Sequence, residues 1–184
     1  MVDARYLRSR RAVKEALLVL LEKRQIAGIA MTELAREAGV SRSTLYAHFG
    51  NVQDVYAELV RDFYTSLRPL GVHLHCGDCS VQSSGARPFC VALRDAGPYL
   101  FLVKDAHFLP TLFEQLESGL VEGGALSAYL VPGLNEAQAR AVFRFQMSGC
   151  YAVALSDAPA EEWARVQQAL DTFIRGGLNA LRAG

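Results

Sequence analysis

No part of this chain narrows its fold as much as Met31–Phe49, MTELAREAGVSRSTLYAHF. Leu34, Ala35 and Ala38 recur at helical spacing, as do Leu45 and Phe49, and Gly39 and Val40 stand between them. The pattern predicts two short helices crossing around a tight turn, with Ala35 small enough for a close approach. Gly39 falls where a residue with positive φ is wanted, a conformation only glycine adopts at little cost. Ser41 is placed to accept a hydrogen bond from a free backbone N–H and so cap the second helix. A helix-turn-helix of this kind presents the first turn of its second helix to a DNA major groove. Arg42 and Ser43 occupy that turn, and an Arg there can hold guanine O6 and N7 bidentately or rest on a phosphate.

The rest of the chain is read against that motif. At 184 residues, 51% of them apolar, it can bury a good-sized core and does not read as disordered. No uninterrupted apolar run is long enough for a membrane span. Arg5, Arg8, Arg10, Arg11 and Lys14 break up any signal-peptide pattern. With four irregularly spaced cysteines, the expectation is free thiols in the cytoplasm. The net charge is zero but unevenly spread. Residues 1–68 carry eleven Lys and Arg against eight Asp and Glu, and residues 69–184 carry eight against eleven. A basic first third on an acidic remainder predicts a DNA-binding domain over 1–68 and a second domain over 69–184.

Helical periodicity continues almost throughout, so the predicted fold class is all-α. Val13, Leu17, Leu20 and Leu21 give a helix from about Ser9 to Lys23. Val52, Val55, Tyr56, Leu59, Val60, Phe63 and Leu67 give a fourth helix ending near Pro69. Residues 70–87 have no period and read as a loop. Short helices are expected at Pro88–Asp95, Pro98–Lys104 and Pro110–Val121, each opened by a proline. Two long helices follow, Asn135–Leu155 and Pro159–Arg182. The first is apolar on two sides, Phe143, Met147, Cys150, Tyr151 and Ala154 on one, Val142, Phe145, Gly149 and Val153 on the other. The second carries a stripe through Trp163, Val166, Leu170, Phe173, Ile174, Leu178 and Leu181. Either both faces are buried within one chain or one of them packs on a second copy.

Over residues 9–67 the sequence resembles the tetracycline-repressor (TetR) family of bacterial transcription regulators. RRAVKEALLVLLE, MTELAREAGV, SRSTLYAHF and VQDVYAELV carry the resemblance, and AREAGVSRSTLYAHF is its most specific run. The RRAVKEALL start and the RST triplet look like the branch of dihydroxyacetone-kinase-type regulators, and FRFQMSGCYAVAL is compatible with it. The resemblance implies an all-helical homodimer with a larger C-terminal domain for effector binding and dimerisation. It implies a double-stranded DNA operator, an unidentified small-molecule ligand and no cofactor. Thr44, Tyr46 and His48 match positions that hold phosphate, and Thr32 and Arg11 are further candidates for DNA contact. Tyr46 can also pack partly into the head, and the basic residues near the N-terminus can equally be a solvated tail. A phosphate beside His48 would favour its charged form and make binding pH-dependent. Two departures weaken the expected grip. Ala30 stands where members often cap the second helix with Ser or Thr, and Val52 where many carry a lysine.

Other chemistry is sparse. No Ser-His-Asp spacing, glycine-rich phosphate loop or carboxylate pair suggests an enzyme. His73, His75, Cys76 and Cys79 are ligand types suited to zinc, and Cys76–Cys79 is a CxxC, but all four lie too close together for one closed site. A plain loop, or a metal or redox sensor, are the readings of that segment. The candidate ligand pocket is aromatic: Phe89, Leu93, Tyr99, Leu102, His107, Phe113, Phe143, Met147 and Tyr151, residues that would equally make a core. The candidate dimer interface is Phe143, Met147, Trp163, Leu170, Phe173 and Ile174. Together these features predict a ligand-responsive repressor binding two half-sites as a homodimer. The competing prediction is an interaction module of the same fold without specific DNA binding.

Overall fold

The computed structural model describes residues 4–66, 89–118 and 133–183, and the regular structure in them is helical throughout. The chain divides into two compact units, one holding Met1–Tyr64 and Ala96–Leu112, the other Thr65–Asp95 and Phe113–Gly184.

The first unit is built on α1 (Ala4–Leu21), α2 (Met31–Glu37), α3 (Arg42–His48) and α4 (Val52–Ser66). Helix α1 starts at Ala4 rather than Ser9, so Arg8, Arg10 and Arg11 lie on a helix and not in a tail ahead of it. Its Val13, Leu17 and Leu20 pack with Leu34 of α2, Leu45 of α3 and Val55, Leu59 and Val60 of α4, all at most 2% exposed. Burying each such side chain is worth roughly 1.5–3 kcal/mol. The turn between α2 and α3 forms as the sequence predicts. Gly39 has φ +63°, the Val40 N–H donates to Ala35 O and the Gly39 N–H to Arg36 O. This double closure satisfies carbonyls that the end of α2 would leave open. The Ser41 hydroxyl accepts the Thr44 N–H at 3.0 Å and starts α3.

The unit also takes in residues 96–112, which the sequence reading assigned to the second domain. Here lie a 3-10 turn at Gly97–Tyr99, α6 (Leu100–Lys104) and the first residues of α7 (Phe108–Glu117). Phe63 of α4 meets the rings of Tyr99 and Phe108 at 5.4 and 5.7 Å. Asp105, fully buried between α6 and α7, accepts the Ile26 N–H at 2.9 Å, and Gln25 accepts the Ala106 N–H at 3.0 Å. Helix α7 begins two residues before Pro110, because the amides of a first helical turn need no intrahelical partner and proline is tolerated there.

In the second unit α5 (Phe89–Arg94) packs on α8 (Glu136–Ala154), burying Phe89, Cys90, Leu93, Phe143, Met147, Cys150 and Ala154. Asn135 and Gln138 form a reciprocal capping box at the start of α8. At its other end Arg94 donates to the Ala154 and Ala158 carbonyls and lies 4.3 Å over the Trp163 ring of α9 (Ala160–Ala183). Among the described residues no helix is long and apolar enough to cross a membrane.

Candidate nucleic-acid interface

Helix α3 has seven residues, too few to hold its shape alone, so its setting is fixed by its two ends and its buried side. Leu45 and Phe49 face inward at 0% and 4% exposure. Arg42 and Tyr46, four residues apart and therefore on one face, point to solvent; Tyr46 is 55% exposed. Among the described residues no side chain pairs with the Arg42 guanidinium, and α3 carries no acidic residue. Ser43 is exposed, with its hydroxyl 2.9 Å from that of Ser41. Thr44 is half-buried and its hydroxyl lies 2.8 Å from Ser41. Thr32 is exposed in the first turn of α2, whose cap Ala30 offers no side-chain hydrogen bond. Arg11 is exposed and pairs with Glu15 at 2.7 Å, a surface pair that a phosphate can replace.

His48 departs from the sequence expectation. Its ring turns to α1 instead of facing outward, with Nε2 2.5 Å from the Ser9 hydroxyl and the ring in a T-shaped contact with Tyr6, centroids 4.4 Å apart. The Ser9 hydroxyl lies 3.0 Å from Tyr6 O and 3.1 Å from Arg5 O, so its proton goes to a backbone carbonyl and it accepts from Nε2–H. This assigns the Nε2–H tautomer and leaves Nδ1 buried with no hydrogen-bond partner among the described residues. Burial, and then the Arg10 charge, hold the imidazole below its ordinary value of 6.5, so it is neutral near pH 7. At the N-terminus of α4 Val52 is buried, and the Gly50 and Asn51 amides donate to Asp54 at 2.9 and 3.2 Å. The place where a cation was missed thus holds a carboxylate that meets the first free amides itself.

These groups set a pH dependence. Since folding disfavours protonated His48, its contribution is complete above about pH 6.5 and is lost as the pH falls toward its lower folded value. Burial pushes the Glu58 carboxyl up, but Lys14 and Arg10 outweigh it and hold the group below 4.5. Its contribution is present above about pH 4.5 and is lost below. Thermal melts should therefore show a Tm flat above pH 7 that declines on acidification, first through His48. The His48→Gln variant should lose the first part of the decline. A Tm that rises between pH 7 and 5.5 would count against this assignment.

The pocket candidates do not converge on one cavity. Tyr99, Leu102 and His107 belong to the first unit, where Leu102 is fully buried and the half-exposed His107 ring lies 3.1 Å from Asp105. Phe89, Leu93, Phe113, Phe143 and Met147 are core of the second unit, Phe113 and Phe143 meeting edge to face at 6.1 Å, and Tyr151 is half-buried. A groove of about 330 Å³ instead lies between α8 and α9, lined by Phe145, Gly149, Val153, Phe173 and Ile174 among others. Of the interface candidates, Leu170, Phe173 and Ile174 line it, Trp163 lies under Arg94, and Phe143 and Met147 sit in the unit's own core at 4% and 2% exposure. His73, His75, Cys76 and Cys79 fall outside the described residues. Among those described, no His, Cys, Asp and Glu cluster is arranged to hold a metal, and the Cys90 and Cys150 thiols are buried.

Comparison with known proteins supplies the context for this geometry. Residues 15–59 match the family of bacterial regulatory proteins described as the tetR family. Over 61 residues the chain is 33% identical to YxbF of Bacillus subtilis (strain 168), an uncharacterized HTH-type transcriptional regulator, covering 33% of this chain and 16% of that protein. A solved structure, the TetR family repressor AlkX from Dietzia sp. strain DQ12-45-1b, implicated in biodegradation of n-alkanes, aligns at 22% identity over 91% of this chain and 95% of its own, with a TM-score of 0.41. The helix-turn-helix of this chain lies within the residues that match the tetR family of bacterial regulatory proteins.

Proposed function

We propose that the chain is a transcription regulator that reads an operator of two half-sites as a homodimer and answers to a small-molecule ligand, acting as a repressor. The observation that carries the DNA reading is the exposed Arg42–Tyr46 face of α3, with a guanidinium that no described side chain pairs and no acid on the helix. Arg42 reads base edges, Ser43 sits beside it, and Tyr46, Thr44 and Thr32 hold phosphate, with Arg11 able to exchange Glu15 for a phosphate. His48 is assigned to the seat of the helix rather than to DNA. Pairing of α8 and α9 with their copies covers the open groove and sets the distance between heads, which must suit successive major grooves about 34–36 Å apart. A ligand releases the DNA by favouring another separation. The finer likeness to dihydroxyacetone-kinase-type regulators rests on RRAVKEALL and the RST triplet and belongs to the same proposal. The proteins that the head matches are regulators and not enzymes.

Selection from a random duplex library tests this reading. The protein should enrich a sequence with two half-sites. Arg42→Ala should reduce preference for that sequence over a scrambled one by about tenfold or more, the ~1–3 kcal/mol of a bidentate base contact. Tyr46→Ala should weaken both duplexes alike. Equal losses on both for Arg42→Ala would remove base reading by Arg42, and failure to enrich any sequence would sink the DNA reading.

A further inference from the structure

Four side chains on α1 and α4 form a ladder that ends on the recognition helix. Arg10 and Lys14 are one turn apart on α1, and Glu58 and Asp62 are one turn apart on α4. Lys14 reaches Glu58 at 3.1 Å and Asp62 at 2.5 Å, and Arg10 pairs with the other oxygen of Glu58. Arg10 carries the ladder one step further. Its Nη1 donates to the His48 backbone carbonyl at 3.2 Å and to the Tyr6 hydroxyl at 3.2 Å, and its guanidinium lies 4.5 Å over the Phe49 ring. The His48 carbonyl is the last of α3, with no partner inside the helix and the negative end of the helix dipole upon it. A cation fixed there caps the helix. The Arg10 side chain is only a quarter exposed and Glu58 about half that, so the junction is shielded from screening by salt.

We propose that Arg10 is a positioning residue for DNA reading. By joining Glu58 of α4 to the last carbonyl of α3, it fixes the angle at which Arg42 and Tyr46 are presented. The inference rests on the reading of α3 as the recognition helix. A guanidinium suits this role because its planar fork holds several acceptors at once, whereas an ammonium is a point charge. The role also separates Arg10 from Arg8 and Arg11. Arg10 is a basic residue of the head whose charge is spent inside it.

The test compares wild type with Arg10→Met, Arg10→Lys and Glu58→Gln. Each is titrated with the duplex enriched by the wild type and with a scrambled duplex, over a range of salt concentrations. Hydrogen exchange of the α3 amides is followed in the same proteins without DNA. Arg10→Met should bind the selected duplex about tenfold more weakly, leave scrambled binding nearly unchanged and keep the wild-type salt slope. Its amides at Leu45–Phe49 should exchange faster. Arg10→Lys should keep the melting temperature but not the selectivity. Glu58→Gln, which leaves Arg10 in place without its anchor, should repeat the Arg10→Met signature and decides the matter if Arg10→Met does not fold. Equal losses on both duplexes, with the salt slope reduced by about one, would mean that Arg10 touches phosphate and would overturn the proposal. Unchanged selectivity and exchange in Arg10→Met would overturn it as well. A wild type that enriches no sequence overturns the DNA reading itself, and the α3 exchange rates then still decide whether Arg10 seats the helix.

Discussion

Phe173→Glu should convert the protein to monomers and cut its affinity for a two-half-site duplex by about a hundredfold or more, while leaving single half-site binding nearly unchanged. Phe145 and Phe173 are 72% and 69% exposed, on neighbouring helices that line one apolar groove. Burying a phenylalanine is worth about 1.5–3 kcal/mol, and a two-fold interface buries each residue twice. These two positions alone would then supply roughly 6–12 kcal/mol before the cost of association. A carboxylate at Phe173 would be buried twice with no partner, at several kcal/mol each. On the proposed reading, loss of the dimer would matter for DNA because each head should grip weakly: Ala30 gives no cap, Asp54 occupies the amides at the start of α4, and Arg10 and Lys14 face inward. Joining two weak heads raises affinity by about 10²–10⁴ through effective concentration. Sedimentation and titration with one- and two-half-site duplexes check this. A Phe173→Glu protein that stays dimeric and binds normally would place the interface elsewhere.

The elements that the sequence revealed are those governed by neighbours along the chain. The turn at Gly39, the Ser41 cap, the Asn135 start of α8 and the apolar face of α4 each need only a few consecutive residues, and each forms as read. The early start of α1 was hidden because Ala4–Arg11 has no buried residue, so no apolar period marks it. The places of Arg10 and His48 were hidden for a different reason: their partners Glu58 and Ser9 are 48 and 39 residues away. The complementary spacing of Arg10 and Lys14 with Glu58 and Asp62 was present as a signal, but pairing it required knowing that α1 lies along α4. Both faces of α8 were legible and the choice between them was not. Phe143 and Met147 look as suited to a partner as Phe145 and Val153, and only packing against α5 and α7 consumes the first pair. The aromatic pocket candidates scattered for the same cause, since pocket and core share a composition.

Asp105→Ala should cost the first unit about 3–5 kcal/mol, read as a lower urea midpoint. The side chain is fully buried and its two oxygens serve different elements. One accepts the Ile26 N–H at 2.9 Å, in the turn between α1 and α2. The other accepts the His107 N–H at 2.9 Å and lies 3.3 Å from the Tyr56 hydroxyl of α4. Alanine would leave the Ile26 N–H buried without an acceptor and take one acceptor from Tyr56. Hydrogen bonds to a charged acceptor are worth about 1.5–3 kcal/mol each, and they do not add fully within one network. Asp105→Asn keeps one acceptor and turns an NH₂ toward a donor, so it should fall between the two, nearer wild type if the Tyr56 hydroxyl rotates to accept. The same contacts tie residues 96–112 to the head, together with Gln25 and the Ala106 N–H. Hydrogen exchange in α6 should therefore rise more steeply than in α2 or α3 when Asp105 is removed. A midpoint within about 0.5 kcal/mol of wild type, the range of an ordinary surface substitution, would show that the carboxylate does not hold this junction.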